Sequence, residues 1–512
     1  MPFSSDAGAQ PAIDRTDGFR LSKSRFLSGL QCLKRLYLEV HAPDLAAQPD
    51  EYRQAILDMG SEVGELARRR FAGGALVTAD YRHLPDALRQ TAELLAVQDV
   101  PAIFEAAVEF DRVLIRVDIL ARQPSAGGDG SRWRLIEVKS SARVKDIHLH
   151  DLAVQAHVLA GAGIELAGTY VLHIDTRYLY DGNNLDLDRL FELEDVTEAV
   201  SQRLPEVRAR LAEMKTVLRE SSSPKIEPGD HCHSPYDCPF WEHCIKDKPA
   251  RWVYHLPGGN RAAQELIRLG VETIDDIPAD FGLTVIQRRV KEGSEWVGPE
   301  LKARLEKIRY PVHHVDFETF MPAIPKYPKT RPYQTIPTQW SNHIESEDGE
   351  VRHEEYLGSE PIDPRPAFIQ TLLDSLGSEG SICVYSRYER VALENLAEEY
   401  PQYRTGLRRA IRRLWDLLPI IRDQYYHPRF EGSFSIKTVL PALVPDLTYA
   451  DLEIREGGMA AQSYLRMVFE ETDWIEKTRL REALMRYCAR DTRALVEIRK
   501  ALLLISRASG HV

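Results

Sequence analysis

Two neighbouring predicted strands carry three ionisable residues whose spacing could build a phosphodiesterase site. Asp118 lies on the first strand, and Glu137 and Lys139 lie on the second in Leu-Ile-Glu137-Val-Lys139. Because side chains alternate along a strand, Glu137 and Lys139 share a face that Asp118 can join. The two carboxylates would repel each other unless Mg²⁺ or Mn²⁺ neutralised them, and such an ion can activate water against a phosphodiester. An exposed hairpin edge with alternating charges would give the same pattern.

With Asp151-Leu-Ala-Val-Gln155 on the next predicted helix, this arrangement resembles the PD-(D/E)xK nuclease fold in its RecB-like form. The resemblance implies that Asp118 and Glu137 hold a metal ion and act in catalysis together with Lys139. It also implies that Gln155 helps to position the site. The expected activity is cleavage of DNA.

The position of one metal ligand of that family is occupied by glycine. RecB-like nucleases usually have a histidine in a Gly-x-x-x-His phrase before the core, and Gly64 stands there in Gly60-Ser-Glu-Val-Gly64. Whether Glu62, Glu65 or Glu105 completes the metal site is open.

The C-terminal half carries a second set of acidic residues. Asp316 and Glu318 are two apart on a predicted strand and therefore share a face. Tyr487 and Asp491 are four apart on a predicted helix and therefore stack on one side of it. Glu389 follows a predicted strand and opens a helix between these two motifs.

This order resembles the ribonuclease-H-like 3′→5′ exonucleases of the DnaQ type, in which four acidic residues bind two metal ions and a tyrosine orients the attacking water. The resemblance implies a catalytic set of Asp316, Glu318, Glu389, Tyr487 and Asp491. Within it, Asp316, Glu318 and Asp491 are expected to hold the metal. Glu389 is one methylene longer than the aspartate usual in the family, and Lys437 is expected to contact a phosphate.

The six cysteines divide into two groups. Four could gather around one centre, one before the predicted nuclease core and three after it: Cys32, Cys232, Cys238 and Cys244. Tetrahedral thiolates suit zinc or an iron–sulfur cluster, and spacing alone does not separate the two. The other two, Cys383 and Cys488, lie in apolar patterns and are interpreted as core residues.

The order of the first four cysteines resembles that of AddB-type and CRISPR-associated RecB-like nucleases, where such a set holds a [4Fe-4S] cluster. The resemblance favours this cluster. Zinc is the alternative, because His231, His233 and His243 lie nearby. The five residues between Cys232 and Cys238 are more than those families usually have.

Hydrophobic periodicity and turn residues predict the elements that position these groups. An amphipathic helix capped near Ser22 is predicted to contain Cys32. A mixed unit is predicted from strands at 102–110, 112–120, 133–138 and 169–174 and a helix at 151–160. Farther on, strands at 312–317, 336–344 and 382–386 alternate with helices at 389–400, 405–424 and 479–506.

We therefore expect an α/β protein of several domains. They are a disordered leader at 1–20, a PD-(D/E)xK domain with the cysteines at 21–249, a helical connector at 250–308 and a ribonuclease-H-like domain at 309–507. A chain of 512 residues agrees with more than one domain.

Composition limits the class of protein. Hydrophobic residues make up 43% and charged residues 28% of the chain, with a mean hydropathy of -0.35, which favours a globular protein. No apolar run is long enough for a membrane span and no secretory signal is visible, so we expect no membrane partner and a cytoplasmic location. The net charge of -12 argues against a protein that coats nucleic acid, but not against a nuclease with a basic cleft.

The whole order is similar to an uncharacterised bacterial family, a domain-of-unknown-function group that joins a RecB-like iron–sulfur nuclease module to a ribonuclease-H-like module. The function expected is a metal-dependent nuclease acting on DNA, with single-stranded ends favoured. The chain has no Gly-x-x-x-x-Gly-Lys-Ser/Thr loop, so unwinding would need a helicase or other motor in trans. A non-catalytic nucleic-acid-binding scaffold with decayed sites is the alternative.

Overall fold

A computed structural model describes residues 19–48, 51–80, 82–123, 132–470 and 472–508. Nearly all of the expected leader lies outside these residues. The described residues form a mixed α/β structure in two compact units. The first unit contains the chain up to residue 48 together with 58–176 and 185–247, and the second contains 49–57, 177–184 and the chain from 248 onward. None of the described helices is both long and apolar enough to cross a membrane.

The first unit is built on one mixed sheet. Its strands are β1 (Leu21–Ser22), β2 (Ala75–Leu76), β3 (Ala102–Phe110), β4 (Val113–Gln123), β5 (Arg132–Lys139), β6 (Leu166–Ile174) and β7 (Phe191–Asp195). Its helices are α1 (Lys23–Gln31), α2 (Leu33–His41), α4 (Leu84–Ala96), α5 (Asp146–Gly161), α6 (Leu187–Leu190), α7 (Thr197–Ser201), α8 (Leu204–Val217) and α9 (Trp241–Ile245), together with α3 (Glu51–Arg69) from residue 58 onward.

Strands of this sheet follow the order β2-β3-β4-β5-β6-β7, and β1 pairs with β4. β3, β4 and β5 form an antiparallel meander, whereas β6 runs parallel to β5 after the crossover helix α5. Asp111 and Arg112 close the β3–β4 hairpin with positive φ angles of 50° and 60°, as a tight two-residue turn requires. Apolar residues of β3 and β4, such as Ile115, share one core with Leu152 and Val158 of α5.

The second unit contains a sheet and a larger set of helices. Its strands are β8 (Trp296–Val297), β9 (Val312–Phe320), β10 (Ile336–Glu345), β11 (Val351–Leu357), β12 (Ser381–Val384), β13 (Leu414–Asp416) and β14 (Tyr425–Tyr426). Its helices are α10 (Arg261–Arg268), α11 (Val285–Glu292), α12 (Leu301–Leu305), α13 (Arg365–Leu376), α14 (Tyr388–Glu399), α15 (Arg404–Arg413), α16 (Leu417–Gln424), α17 (Ile436–Leu443), α18 (Gly457–Phe469) and α19 (Trp474–Ala508).

The main sheet of the second unit has the order β11-β10-β9-β12-β13. β9, β10 and β11 are antiparallel, and β12 and β13 continue parallel to β9. Alternation along β9 places Val315 and Phe317 in the apolar core with α13, α14 and α15. The opposite face, which carries Asp316 and Glu318, is covered by α19.

Two predicted helices are interrupted in the structure. Ser22 caps α1 as expected, because its hydroxyl accepts the Arg25 N–H at 3.2 Å. The helix then ends at Cys32, whose backbone is extended (φ -162°, ψ 121°), and α2 begins after it. The helix predicted at 405–424 is likewise α15 and α16, separated by β13, because 414–416 pair with β12.

Candidate functional site

Glu137 is the buried centre of a polar group in the first unit. It lies on β5 with 1% of its surface exposed. The Lys139 ammonium donates to Glu137 Oε1 at 2.6 Å and to Asp151 Oδ2 at 2.8 Å. The Gln155 amide donates to Glu137 Oε2 at 2.7 Å and to Asp151 Oδ1 at 3.0 Å, from one turn along α5. The structure therefore brings together Glu137, Lys139 and Gln155, and it adds Asp151, which the sequence interpretation had not made a site residue.

Asp118 faces the same group from β4. The β4–β5 ladder ends at the Ile119–Ile136 pair, and beyond it the Val138 N–H donates to Asp118 Oδ2 at 2.8 Å instead of to a backbone carbonyl. Burial and the negative charge of Glu137 raise the pKa of Asp118 to about 7. This carboxyl thus stays close enough to Glu137 for strong repulsion, as the strand alternation predicts.

Lys23 is a member of this group that the sequence interpretation missed. It is the first residue of α1, and its ammonium lies 2.8 Å from Glu137 Oε1 and 3.6 Å from Asp151 Oδ1. Burial works against ionisation of Glu137, but the ammonium groups of Lys139 and Lys23 hold its pKa below the ordinary value. Two ammonium groups therefore face three carboxylates. No local signal could have found Lys23, because its partners lie more than a hundred residues away in the chain.

The position at which the resemblance expects a histidine is Gly64. A Cβ added there would meet no atom within 4 Å, so this position leaves open space. Glu62 and Glu65 are exposed, and Glu105 pairs with Arg116 at 3.4 Å. Completion of the metal site by one of these three glutamates stays a prediction.

The second unit holds a compact set of possible metal donors. A carboxylate oxygen of Asp316, one of Glu318 and the Cys488 sulfur all lie within 4.8 Å of one another. Burial, followed by the charges of Asp491, Glu318 and Glu389, raises the pKa of Asp316 well above its ordinary value. A divalent cation would remove this penalty, so the donor set fits a metal ion.

Asp491 lies beside two tyrosines. Tyr449 donates a short hydrogen bond to Asp491 Oδ1, and the Tyr487 side chain, one turn earlier on α19, also lowers the pKa of this carboxylate. Burial raises the pKa of Asp491 to about 6. The predicted Tyr487–Asp491 pair is therefore formed. Tyr449 was missed, because it lies in a loop with no spacing that links it to the motif.

Glu389 opens α14 and is 3% exposed. Burial is the main cause that raises its pKa to about 8, and the charges of Asp416 and Asp491 add to it. Asp416 itself caps α16, since it accepts the Leu418 N–H at 3.0 Å. The structure thus places Glu389 with the acidic group, as its position after a strand predicts.

Lys437 is a cation beside this acidic group. Its charge lowers the pKa of Glu318 and of Asp491, although burial keeps both values raised. Its ammonium lies 5.6 Å from the centre of the Tyr449 ring and 5.4 Å from that of Tyr487. The Arg490 guanidinium also lowers the pKa of Asp491, but it is paired with Asp451. The carboxylates of Asp316, Glu318, Glu389 and Asp491 therefore outnumber these two cations.

The four N-terminal thiols lie near one another in the first unit. The charge of Cys32 acts on the other three, Cys232, Cys238 and Cys244, and burial raises the pKa of each of these three. Within the described residues, no three of these sulfurs lie within 4.8 Å of one another. Cys383 is fully buried, as predicted for a core residue.

Gln31 fixes the loop that carries two of these thiols. Its amide donates to the carbonyl of His231 at 2.7 Å and to that of Tyr236 at 2.6 Å. Arg35 in turn donates to Gln31 Oε1 at 2.7 Å. The residue before Cys32 therefore ties the end of α1 to the chain segment that follows α8.

Comparison with known proteins gives one family match. Residues 313–435, about a quarter of the chain, match the model of a domain of unknown function, DUF2779. This range contains Asp316, Glu318 and Glu389 but ends before Tyr487 and Asp491. No curated protein matches the chain.

Proposed function

We propose that this protein is a metal-dependent nuclease that trims the 3′ ends of single-stranded DNA with its second unit. The observation that carries the proposal is the group of buried carboxylates around Asp316, which the nearby charges of Lys437 and Arg490 leave unbalanced. Such a group is unfavourable in a protein interior unless a cation joins it.

The order of the elements supports this proposal. β9 is the first strand of the main sheet in the second unit and carries Asp316 and Glu318, while α19 is the last helix and carries Tyr487 and Asp491. Glu389 opens the helix after β12. These are the positions that a ribonuclease-H-like exonuclease of the DnaQ type would require.

Each residue has a chemical role in this proposal. Asp316, Glu318 and Asp491 would hold Mg²⁺ or Mn²⁺, which supplies charge neutralisation at the phosphate and acidifies water. Tyr487 orients the attacking water from its position beside Asp491 on α19, and Lys437 attracts a phosphate oxygen of the substrate.

Cleavage of 5′-labelled single-stranded DNA in Mn²⁺ tests the proposal. A ladder of products shortened from the 3′ end is expected for the parent protein. Asp316→Asn should reduce the rate at least about 100-fold, because loss even of a ligand's supporting group typically lowers metal affinity about 10- to 100-fold. The exposed Asp374, on the surface of α13, provides the matched control Asp374→Asn, which should cleave like the parent. Parental trimming by Asp316→Asn would exclude this site as the nuclease.

For the first unit we propose a second nuclease site of the PD-(D/E)xK type, with Asp118, Glu137 and Lys139 as catalytic residues and Gln155 as the positioning residue. An internally labelled circular single strand, which has no 3′ end, tests it separately. Asp118→Asn should abolish any opening of the circle, and Asp316→Asn should not.

The Lys23 ammonium favours a different function for the first unit. It contacts Glu137 Oε1, an oxygen that a metal ion would need as a ligand. This contact favours a first unit that binds nucleic acid without cutting it. Parental binding of the circle, measured by fluorescence anisotropy, with no opening in Mg²⁺ or Mn²⁺ would decide for this scaffold. Unwinding of duplex DNA would in either case be left to a separate motor protein.

The thiol group is proposed to hold a [4Fe-4S] cluster. A single tetrahedral zinc with bonds of about 2.3 Å would place its sulfurs about 3.8 Å apart. Among the described residues no three of these sulfurs lie within 4.8 Å of one another, which favours a cluster, whose ligands bind separate irons, over a single zinc ion. Iron and zinc analysis of anaerobically purified protein distinguishes the two, and stoichiometric zinc without iron would overturn the proposal.

A further inference from the structure

Cys488 is buried, as its apolar sequence pattern predicts, but its sulfur lies beside carboxylates. Its side chain is fully buried, and its sulfur is 3.8 Å from Asp316 Oδ2 and 3.7 Å from the Asp316 main-chain oxygen. The same sulfur is within 4.8 Å of a Glu318 oxygen. A thiol has one hydrogen to donate, so a hydrogen bond to Asp316 does not account for the approach of Glu318.

A second observation points to a ligand in the same group. Glu389 is 3% exposed, and its Oε2 has no hydrogen-bond partner. Its charge acts on Asp316 across the group. Buried polar atoms are nearly always paired, so this oxygen requires a donor or a cation.

We propose that Cys488 is a metal ligand that, with Asp316 and Glu318, forms a mixed thiolate and carboxylate site for a thiophilic divalent ion such as Zn²⁺ or Co²⁺ in preference to Mg²⁺. The inference deepens the proposed function, on which it rests, by naming the class of metal that the site takes. Carboxylates alone suit Mg²⁺, whereas a soft thiolate selects zinc-like ions. Binding replaces the thiol proton, which passes to water.

The geometry needs little change for such an ion. Bonds of about 2.3 Å to sulfur and about 2.0–2.2 Å to carboxylate oxygen place tetrahedral donors roughly 3.3–3.8 Å apart. The three donor atoms already lie within 4.8 Å of one another, and the Cys488 and Asp316 atoms are 3.8 Å apart. Shifts of the side chains alone would therefore bring the three donor atoms to these distances, and α19 need not move.

A Co²⁺ titration of the full chain tests the inference, with the near-ultraviolet absorption of Co²⁺–thiolate bonds as the readout. The four N-terminal thiols contribute equally to every protein compared, so differences between variants isolate Cys488. We expect Cys488→Ser to lose one thiolate contribution and to weaken Co²⁺ binding at this site at least about tenfold. The matched control is Cys383→Ser, because Cys383 is equally buried but outside the donor set, and it should keep the parental spectrum.

The variant Asp316→Asn tests whether Cys488 and the carboxylates bind the same ion. It is expected to weaken Co²⁺ binding, measured by the Co²⁺–thiolate absorption, by a similar factor. A parental spectrum for Cys488→Ser would overturn the inference, as would a Cys488-dependent band that Asp316→Asn leaves unchanged. Cys488→Ala, checked by circular dichroism, replaces the serine variant if that protein does not fold. The readout is a spectrum and not cleavage, so a protein that binds Co²⁺ through Cys488 without cutting DNA would refute only the proposed nuclease.

Discussion

Replacement of Lys23 by methionine removes a positive charge from the polar group of the first unit while keeping the length of the side chain. The carboxylate side chains that it contacts, Glu137 and Asp151, are 1% and 3% exposed. Loss of one partner from a buried ion pair costs about 3–5 kcal/mol. The Lys23 side chain is 25% exposed and Lys139 still contacts both carboxylates, so we expect a loss of about 2–3 kcal/mol, below that range.

Thermal unfolding followed by circular dichroism measures this loss. In EDTA, Lys23→Met should lower the Tm of the first unit by about 5–10 °C. Mn²⁺ should then raise the Tm of the variant more than that of the parent, because the carboxylates have lost a competing cation. The exposed Lys225 gives the control Lys225→Met, which should unfold like the parent. A Lys23→Met protein within about 0.5 kcal/mol of the parent in EDTA would refute the ion-pair reasoning.

Three further outcomes are expected. The pKa of Asp118 is raised to about 7 in the folded protein, so ionisation of this carboxyl opposes folding. The Tm of the metal-free parent should therefore fall as the pH rises from about 4 to 7, and Asp118→Asn should make this fall smaller. Gln31→Ala should increase the rate at which Cys232 and Cys238 react with a thiol reagent in cluster-free protein, because the carbonyls of His231 and Tyr236 lose their hydrogen-bond donor. An unchanged rate would contradict the anchoring role of Gln31. Tyr449→Phe should reduce 3′ trimming about tenfold through the lost bond to Asp491, worth about 1.5–3 kcal/mol, with kcat as the measured quantity; an unchanged kcat would argue against this positioning role.

Several acidic residues could be predicted because they follow a local period, whereas Asp151 was missed. Asp316 and Glu318 share a strand face, and Tyr487 and Asp491 share a helix side, so spacing alone brought each pair together. Glu137 was predicted in the same way.

Residues joined only by the tertiary fold could not be predicted. Lys23 meets Glu137 because α1 packs beside the sheet, and Tyr449 reaches Asp491 from a loop. The three-residue strand β13 exists because it pairs with β12, so an apolar pattern that continues through it predicted one long helix instead. Cys488 is intermediate, since it lies three residues before Asp491 on α19 and this spacing was a usable signal.

The short helix α1 gives the first unit an additional property. Lys23 begins it and Cys32 follows its last residue, and nine helical residues extend only about 13 Å. The polar group around Glu137 and the thiol group therefore meet opposite ends of one nine-residue helix, and a substitution that displaces α1 would disturb both groups at once.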